Sequence, residues 1–247
     1  MIVKLTNALL ESKIAKIVSV RTMPIENKLK NVKEPKKEIL QRTTTYDVTD
    51  EEWIFHFAQL VTYEWINRYK KDPRYDWKGQ SEISEEQDTF NKAIGIFGEC
   101  IVNGVLDQYQ IPHIWANPLY PRGDDSRGNV EWDQLIEGIT LEVKTIPPFS
   151  NYNNLIIDEK TNMHCQYVIG VQLFLENPNS INSHNVDAYQ LENIKQVKFA
   201  RLVGFQLKED VEKLECKDFF GYGLCRKKPI TALRPMNLFW VTFLPYS

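Results

Sequence analysis

The chain has 247 residues and a formal net charge of -3, with 43% hydrophobic and 26% charged residues. That length and apolar content allow a sizeable core and exclude disorder, which needs low hydrophobicity combined with high net charge. The weak negative charge excludes a global basic field for coating nucleic acid; no stretch has the ~20 apolar residues of a membrane span or the apolar block of a secretory leader, so a cytoplasmic protein with no membrane partner is expected.

Residues 1–23 hold two short apolar runs, Met1 to Leu5 and Ile14 to Val20, that read equally as strand or short helix. Residues 24–47 are polar and Pro-punctuated and read as a long loop or arm. Within it Lys28, Lys30, Lys33, Lys36, Lys37 and Arg42 fall inside fifteen residues, the one local concentration of positive charge. Thr49 or Asp50, followed by Glu51 and Glu52, caps an aromatic helix to about Tyr69 that Pro73 ends. A second helix starts at Ser84, where S-E-E-Q has the form of a capping box, and runs to about Tyr109 ahead of Pro112. Phe90, Ile94, Phe97, Ile101 and Val105 form its main apolar stripe, while Glu99 falls on a second face with Gly95 and Val102.

Beyond Ile111 the pattern turns to short β-type runs at 113–119, 130–136, 139–146, 153–157, 166–175 and 198–207, which together predict a mixed sheet. A short helix is expected near 208–214 and a last strand at 238–244. The cysteines Cys100, Cys165, Cys216 and Cys225 are far apart with no C-x-x-C pair, so they read as free thiols rather than as a zinc site. His56, His113, His164 and His184 show no ligand spacing and read as structural or surface histidines. No glycine-rich nucleotide loop or serine-hydrolase elbow is present, so no nucleotide cofactor is expected.

The segment NVEWDQLIEGITLEVKT, Asn129 to Thr145, carries the chemistry. A two-residue turn at Glu137-Gly138 would set 136 against 139, 135 against 140 and Asp133 against Glu142. Strand alternation then puts Glu131, Asp133, Leu135, Thr140, Glu142 and Lys144 on one face and Trp132, Gln134, Ile136, Ile139, Leu141 and Val143 on the other. Two carboxylates opposed at ~5 Å repel, and a bridging Mg²⁺, which prefers hard oxygen ligands, is the expected relief. Read without chemistry, the same residues make a surface hairpin with cross-strand ion pairs such as Glu131 with Lys144, worth under ~1 kcal/mol each.

Asp133 followed by Glu142-Val143-Lys144 resembles the D…ExK core of the PD-(D/E)xK nuclease superfamily, and GIFGEC, with Glu99, is similar to the Gly-Glu helix motif that often precedes it. Trp132 stands where many members have proline, and PPFSNYNNLII after Lys144 reads as loop and strand where many have a helix. The resemblance implies an α/β fold: a restriction-endonuclease-like core over residues 81–247, with a mixed β-sheet flanked by helices and C-terminal additions, preceded by an N-terminal helical/β extension over 1–80 serving DNA binding or dimerisation. It assigns Asp133, Glu142 and the Val143 carbonyl to the metal. Lys144 goes to the attacking water and the charge on the phosphate, and Glu99 to metal or water. Mg²⁺ would be the cofactor, with Mn²⁺ able to substitute. DNA would be the partner, held by the Lys28–Lys37 arm, by Arg122 and Arg127 in the loop PRGDDSRGN, and by Arg226, Lys227 and Lys228; a homodimer would cut both strands. The reading from another class is a non-catalytic nucleic-acid-binding or interaction protein on a nuclease-like scaffold.

Overall fold

A computed structural model describes residues 42–69, 85–116, 132–148, 153–158, 165–176, 189–218 and 224–243. In chain order the elements are β1 (Thr44–Asp47), α1 (Glu52–Tyr69), α2 (Glu85–Gln108), β2 (Ile114–Trp115), β3 (Gln134–Ile136), β4 (Ile139–Ile146), β5 (Asn154–Asp158), β6 (Tyr167–Leu175), β7 (Val197–Leu207), α3 (Lys208–Glu212), β8 (Cys216–Lys217), β9 (Cys225–Pro229) and α4 (Met236–Phe243). Short 3-10 turns at 191–196 and 230–232 complete them. The Ser84 capping box, the residue 1–23 runs, the lysine arm, Arg122, Arg127, His164 and His184 lie outside the described residues.

The result is a mixed α/β fold. A six-stranded sheet has the order β1-β7-β6-β4-β3-β2, antiparallel except for the parallel pair β4 and β6. β5 leaves that sheet to form a second one, ordered β5-β9-β8. The two faces of the large sheet bury different partners. On one, Ile136, Leu141, Val143, Ile169 and Leu202 join α1, α2 and α4 in the main core. On the other, Ile146, Val168 and Val203 pack with Leu155 and Ile157 of the second sheet. The 44–69 part of the expected extension belongs to the main body: β1 is the sheet's edge and α1 packs on α2 through the main core.

Local chemistry explains the boundaries. The turn into α1 is held by Asp47, whose carboxylate accepts the Thr49 N–H at 2.9 Å and is kept below the usual carboxylate range by that bond. The expected cap at Thr49 or Asp50 is thereby displaced, because helical residues begin only at Glu52. α2 ends in a Schellman motif: Gln110 adopts φ 56, its N–H donates to Asp107 O at 3.0 Å, and Ile111 N–H donates to Leu106 O at 2.9 Å. That reversal sends 111–116 back along the helix.

Two elements differ from expectation. Residues 238–244, expected as a strand, lie largely in α4, where Met236, Phe239, Trp240 and Phe243 are buried at i, i+3, i+4 and i+7. The run is apolar, aromatic and too short for periodicity to separate strand from helix. Thr44–Asp47, assigned to the arm, is strand β1; Thr44 Oγ1 accepts the Trp240 indole N–H at 2.8 Å, a contact across 196 residues that local pattern does not reveal.

Candidate active site

The β3–β4 hairpin turns at Glu137 and Gly138, with φ 48 and 81, the paired positive values of a type I′ turn. Its register sets Ile136 against Ile139, Leu135 against Thr140 and Gln134 against Leu141, as the sequence arithmetic requires. At Asp133 the ladder breaks. Its N–H donates to Leu141 O at 2.8 Å, so Asp133 and Gln134 both face Leu141, as in a β-bulge. Its Oδ2 accepts the Val143 N–H at 2.6 Å. Asp133 therefore does not pair with Glu142 across the ladder; it brackets Glu142 by binding the main chain on both sides of it.

Asp133 and Glu142 are 3% and 2% exposed. Burying two acids needs compensation, and protein groups provide some: the Val143 N–H for Asp133, and Lys144 Nζ at 2.7 Å from Glu142 Oε1. The relief that the sequence reading gave to a bridging cation is thus partly internal. Lys144, at 23% side-chain exposure, is the member of the group that reaches solvent.

Glu142 and Lys144 register with Val168 and Gly170 of β6. Val168 lies in the smaller core, and Leu155 of the second sheet lies over Gly170, 3.2 Å from where a Cβ would stand. Alternation gives Val143 and Thr145 to the helix side, where Gly98 lets α2 approach so closely that an added Cβ would overlap Thr145 Oγ1. Glu99, next in α2, thus approaches from the opposite face to Glu142; its Oε2 accepts the Trp115 indole N–H at 3.2 Å. The expectation that Glu99 shares a metal with Asp133 and Glu142 is not met: among the described residues no three His, Cys, Asp or Glu side chains form a group able to hold a metal ion. The physical reason is the face on which α2 packs. Beside it the Cys100 thiol is fully buried and pushed well up, by burial and then by Glu99, so it is no nucleophile.

Asp133, Glu142 and the Val143 carbonyl, which lies on the same edge of β4 as the Val143 N–H bound by Asp133, offer oxygen donors alone, the kind a hard cation such as magnesium takes. Arg226 and Lys228, singled out as phosphate contacts, sit on β9 opposite Ile157 and Leu155, and Lys227 opposite Ile156. The sequence offered no sign of this strand because its residues are basic rather than apolar.

Gln134, on the apolar face, was missed. Its side chain is 0% exposed, and neither Oε1 nor Nε2 has a hydrogen-bond partner among the described residues. An orphaned buried amide costs ~1–3 kcal/mol, so Gln134→Met is expected to stabilise the fold by about that much in urea denaturation. An unchanged or lower midpoint would contradict it.

Comparison with family models, curated proteins and solved structures returns no match to this chain.

Proposed function

We propose that the protein is a Mg²⁺-dependent nuclease that hydrolyses DNA phosphodiester bonds, an endonuclease of restriction or phage/mobile-element type with a restriction-endonuclease-like core. The observation that carries this reading is that Asp133 and Glu142 are both buried, with the Asp133 carboxylate on the Val143 N–H and the Lys144 ammonium 2.7 Å from Glu142. Asp133, Glu142 and the Val143 carbonyl would hold the metal. A magnesium ion there would lower the pKa of water and neutralise charge developing on the phosphate, with manganese able to substitute. Lys144 orients the attacking water and stabilises the transition state's negative charge. Asp133 contributes its carboxylate and, through its hydrogen bond, fixes the Val143 peptide whose carbonyl completes the donor set. Glu99, held by Trp115, acts at most indirectly.

DNA is the partner of this reading; the Lys28–Lys37 arm, Arg122 and Arg127 are its proposed phosphate contacts, and a homodimer would serve double-strand cleavage. The test is incubation with plasmid and single-stranded DNA in Mg²⁺, Mn²⁺ or EDTA, comparing the parent with Lys144→Ala. Metal-dependent cleavage that falls by roughly 10²-fold or more in the variant, the loss typical of removing one transition-state stabiliser, is the expected result. Cleavage indifferent to EDTA and to Lys144 refutes it, and DNA binding without any cleavage favours the non-catalytic scaffold.

A further inference from the structure

A polar stripe on α2 carries the chain segment that follows it. Glu99, Asn103 and Asp107 lie four residues apart on one side of the helix. Trp115 donates to Glu99 from Nε1, His113 Nε2 lies 2.9 Å from Asn103 Oδ1, and Asn103 Nδ2 donates to Asp107 Oδ2 at 3.2 Å. His113 Nδ1 lies 2.9 Å from the Ile111 carbonyl oxygen.

These contacts bear on the state of the imidazole. A carboxylate only accepts, so Asn103 must turn its NH₂ toward Asp107 and its carbonyl toward His113. A main-chain carbonyl also only accepts. Both ring nitrogens of His113 therefore face acceptors, and a neutral imidazole has one donor for two such positions. Turning the Asn103 amide over would satisfy a neutral ring but would set its oxygen against the Asp107 carboxylate. With Asn103 only 4% exposed, the amide lacks bulk water as an alternative partner.

Among the described residues Asp107 of α2 is the carboxylate to which these contacts lead, and its charge favours a cation, while Glu99 of α2 is bonded to Trp115. Tyr46 of β1, whose hydroxyl abuts Gly104, is pushed up to about 12, by burial first and then by Glu51, Asp107 and Cys100, and stays neutral.

The segment held in this way reaches the site. Three residues past His113, the Ala116 N–H donates to Asp133 O at 2.9 Å, and β2 pairs Trp115 with Gln134 and Ile114 with Leu135. We propose that His113 is an imidazolium in the folded protein and a positioning residue, whose proton fastens 111–116 to α2 and through β2 keeps Asp133 in place. The positioning role rests on Asp133 belonging to the site proposed above; the protonation does not.

A proton bound more tightly by the folded than the unfolded chain stabilises the fold in full below the unfolded pKa. That stabilisation fades as pH rises through the folded value. Histidine side-chain ¹H–¹⁵N spectra of the whole chain between pH 5 and 9, assigned with His113→Gln, read this directly. Both ring nitrogens are expected to be protonated at pH 7, with a midpoint displaced upward from the ordinary ~6.5. The Trp115 indole and Ala116 amide signals should move with that midpoint. A His113 that is singly protonated at pH 7, or that titrates at or below ~6.5, overturns the proposal, and an Ala116 amide that stays still through the transition overturns the positioning role.

Metal-dependent cleavage should decline with the same midpoint as pH rises. Cleavage that is lost in Asp133→Ala yet flat across this transition refutes positioning and leaves the nuclease reading standing. A chain that titrates as described and cuts nothing keeps the clasp and removes the nuclease.

Discussion

Asp133→Asn is expected to fold within ~1 kcal/mol of the parent while cleaving DNA roughly 10²-fold or more slowly, whereas Asp133→Ala loses both cleavage and stability. The contrast follows from the two tasks of one side chain. Its Oδ2 accepts the Val143 N–H in a buried setting, a contact an amide oxygen can also make. Alanine cannot, and an unsatisfied buried N–H costs ~1–3 kcal/mol. The negative charge that would bind a cation is lost in both variants. Guanidinium denaturation beside a plasmid-nicking assay separates the two effects, and an asparagine variant that cuts like the parent would remove Asp133 from the active site.

Gly98→Ala should destabilise the protein by ~1–3 kcal/mol, the usual cost of overfilling a packed contact. The new methyl group overlaps Thr145 Oγ1 and comes within 3.0 Å of Thr145 Cβ and 3.2 Å of its Cγ2. Helix and strand would have to separate beside Lys144, so cleavage should fall as well. Because Thr145 supplies all three clashing atoms, Thr145→Ala should relieve part of the damage, giving a coupling of ~0.5–3 kcal/mol in a double-mutant cycle. Strict additivity of the two substitutions would show that the helix is not seated on this strand as described.

The hairpin was legible from sequence because its determinants are local. A Gly after an exposed Glu defines the turn, and strict alternation defines the faces. Both long helices were legible for the same reason. The side of β4 from which Glu99 approaches was not, since it depends on where Gly98 permits α2 to land. The bulge at Asp133 was equally hidden: arithmetic extends a ladder until an irregularity stops it, and this one arises from a carboxylate substituting for a main-chain acceptor. His113 read as a structural histidine because its significance lies in Asn103, ten residues earlier, and in the Schellman reversal between them. β1, β9 and α4 were misread or overlooked because composition there favours another state than the one tertiary partners impose.

The pairing of Thr44 with Leu202, the bond from Trp240 to Thr44 and the parallel alignment of β4 with β6 all join segments distant along the chain. A ribosome-bound chain that has not yet produced α4 holds β1 and α1 without partners that bury them, so the main core closes only after α4 has emerged. Topology of this kind sets a slow folding rate and leaves apolar strands open to other chains meanwhile. Recombinant yield should therefore respond to growth temperature and chaperone supply more strongly than the stability of the finished fold would suggest.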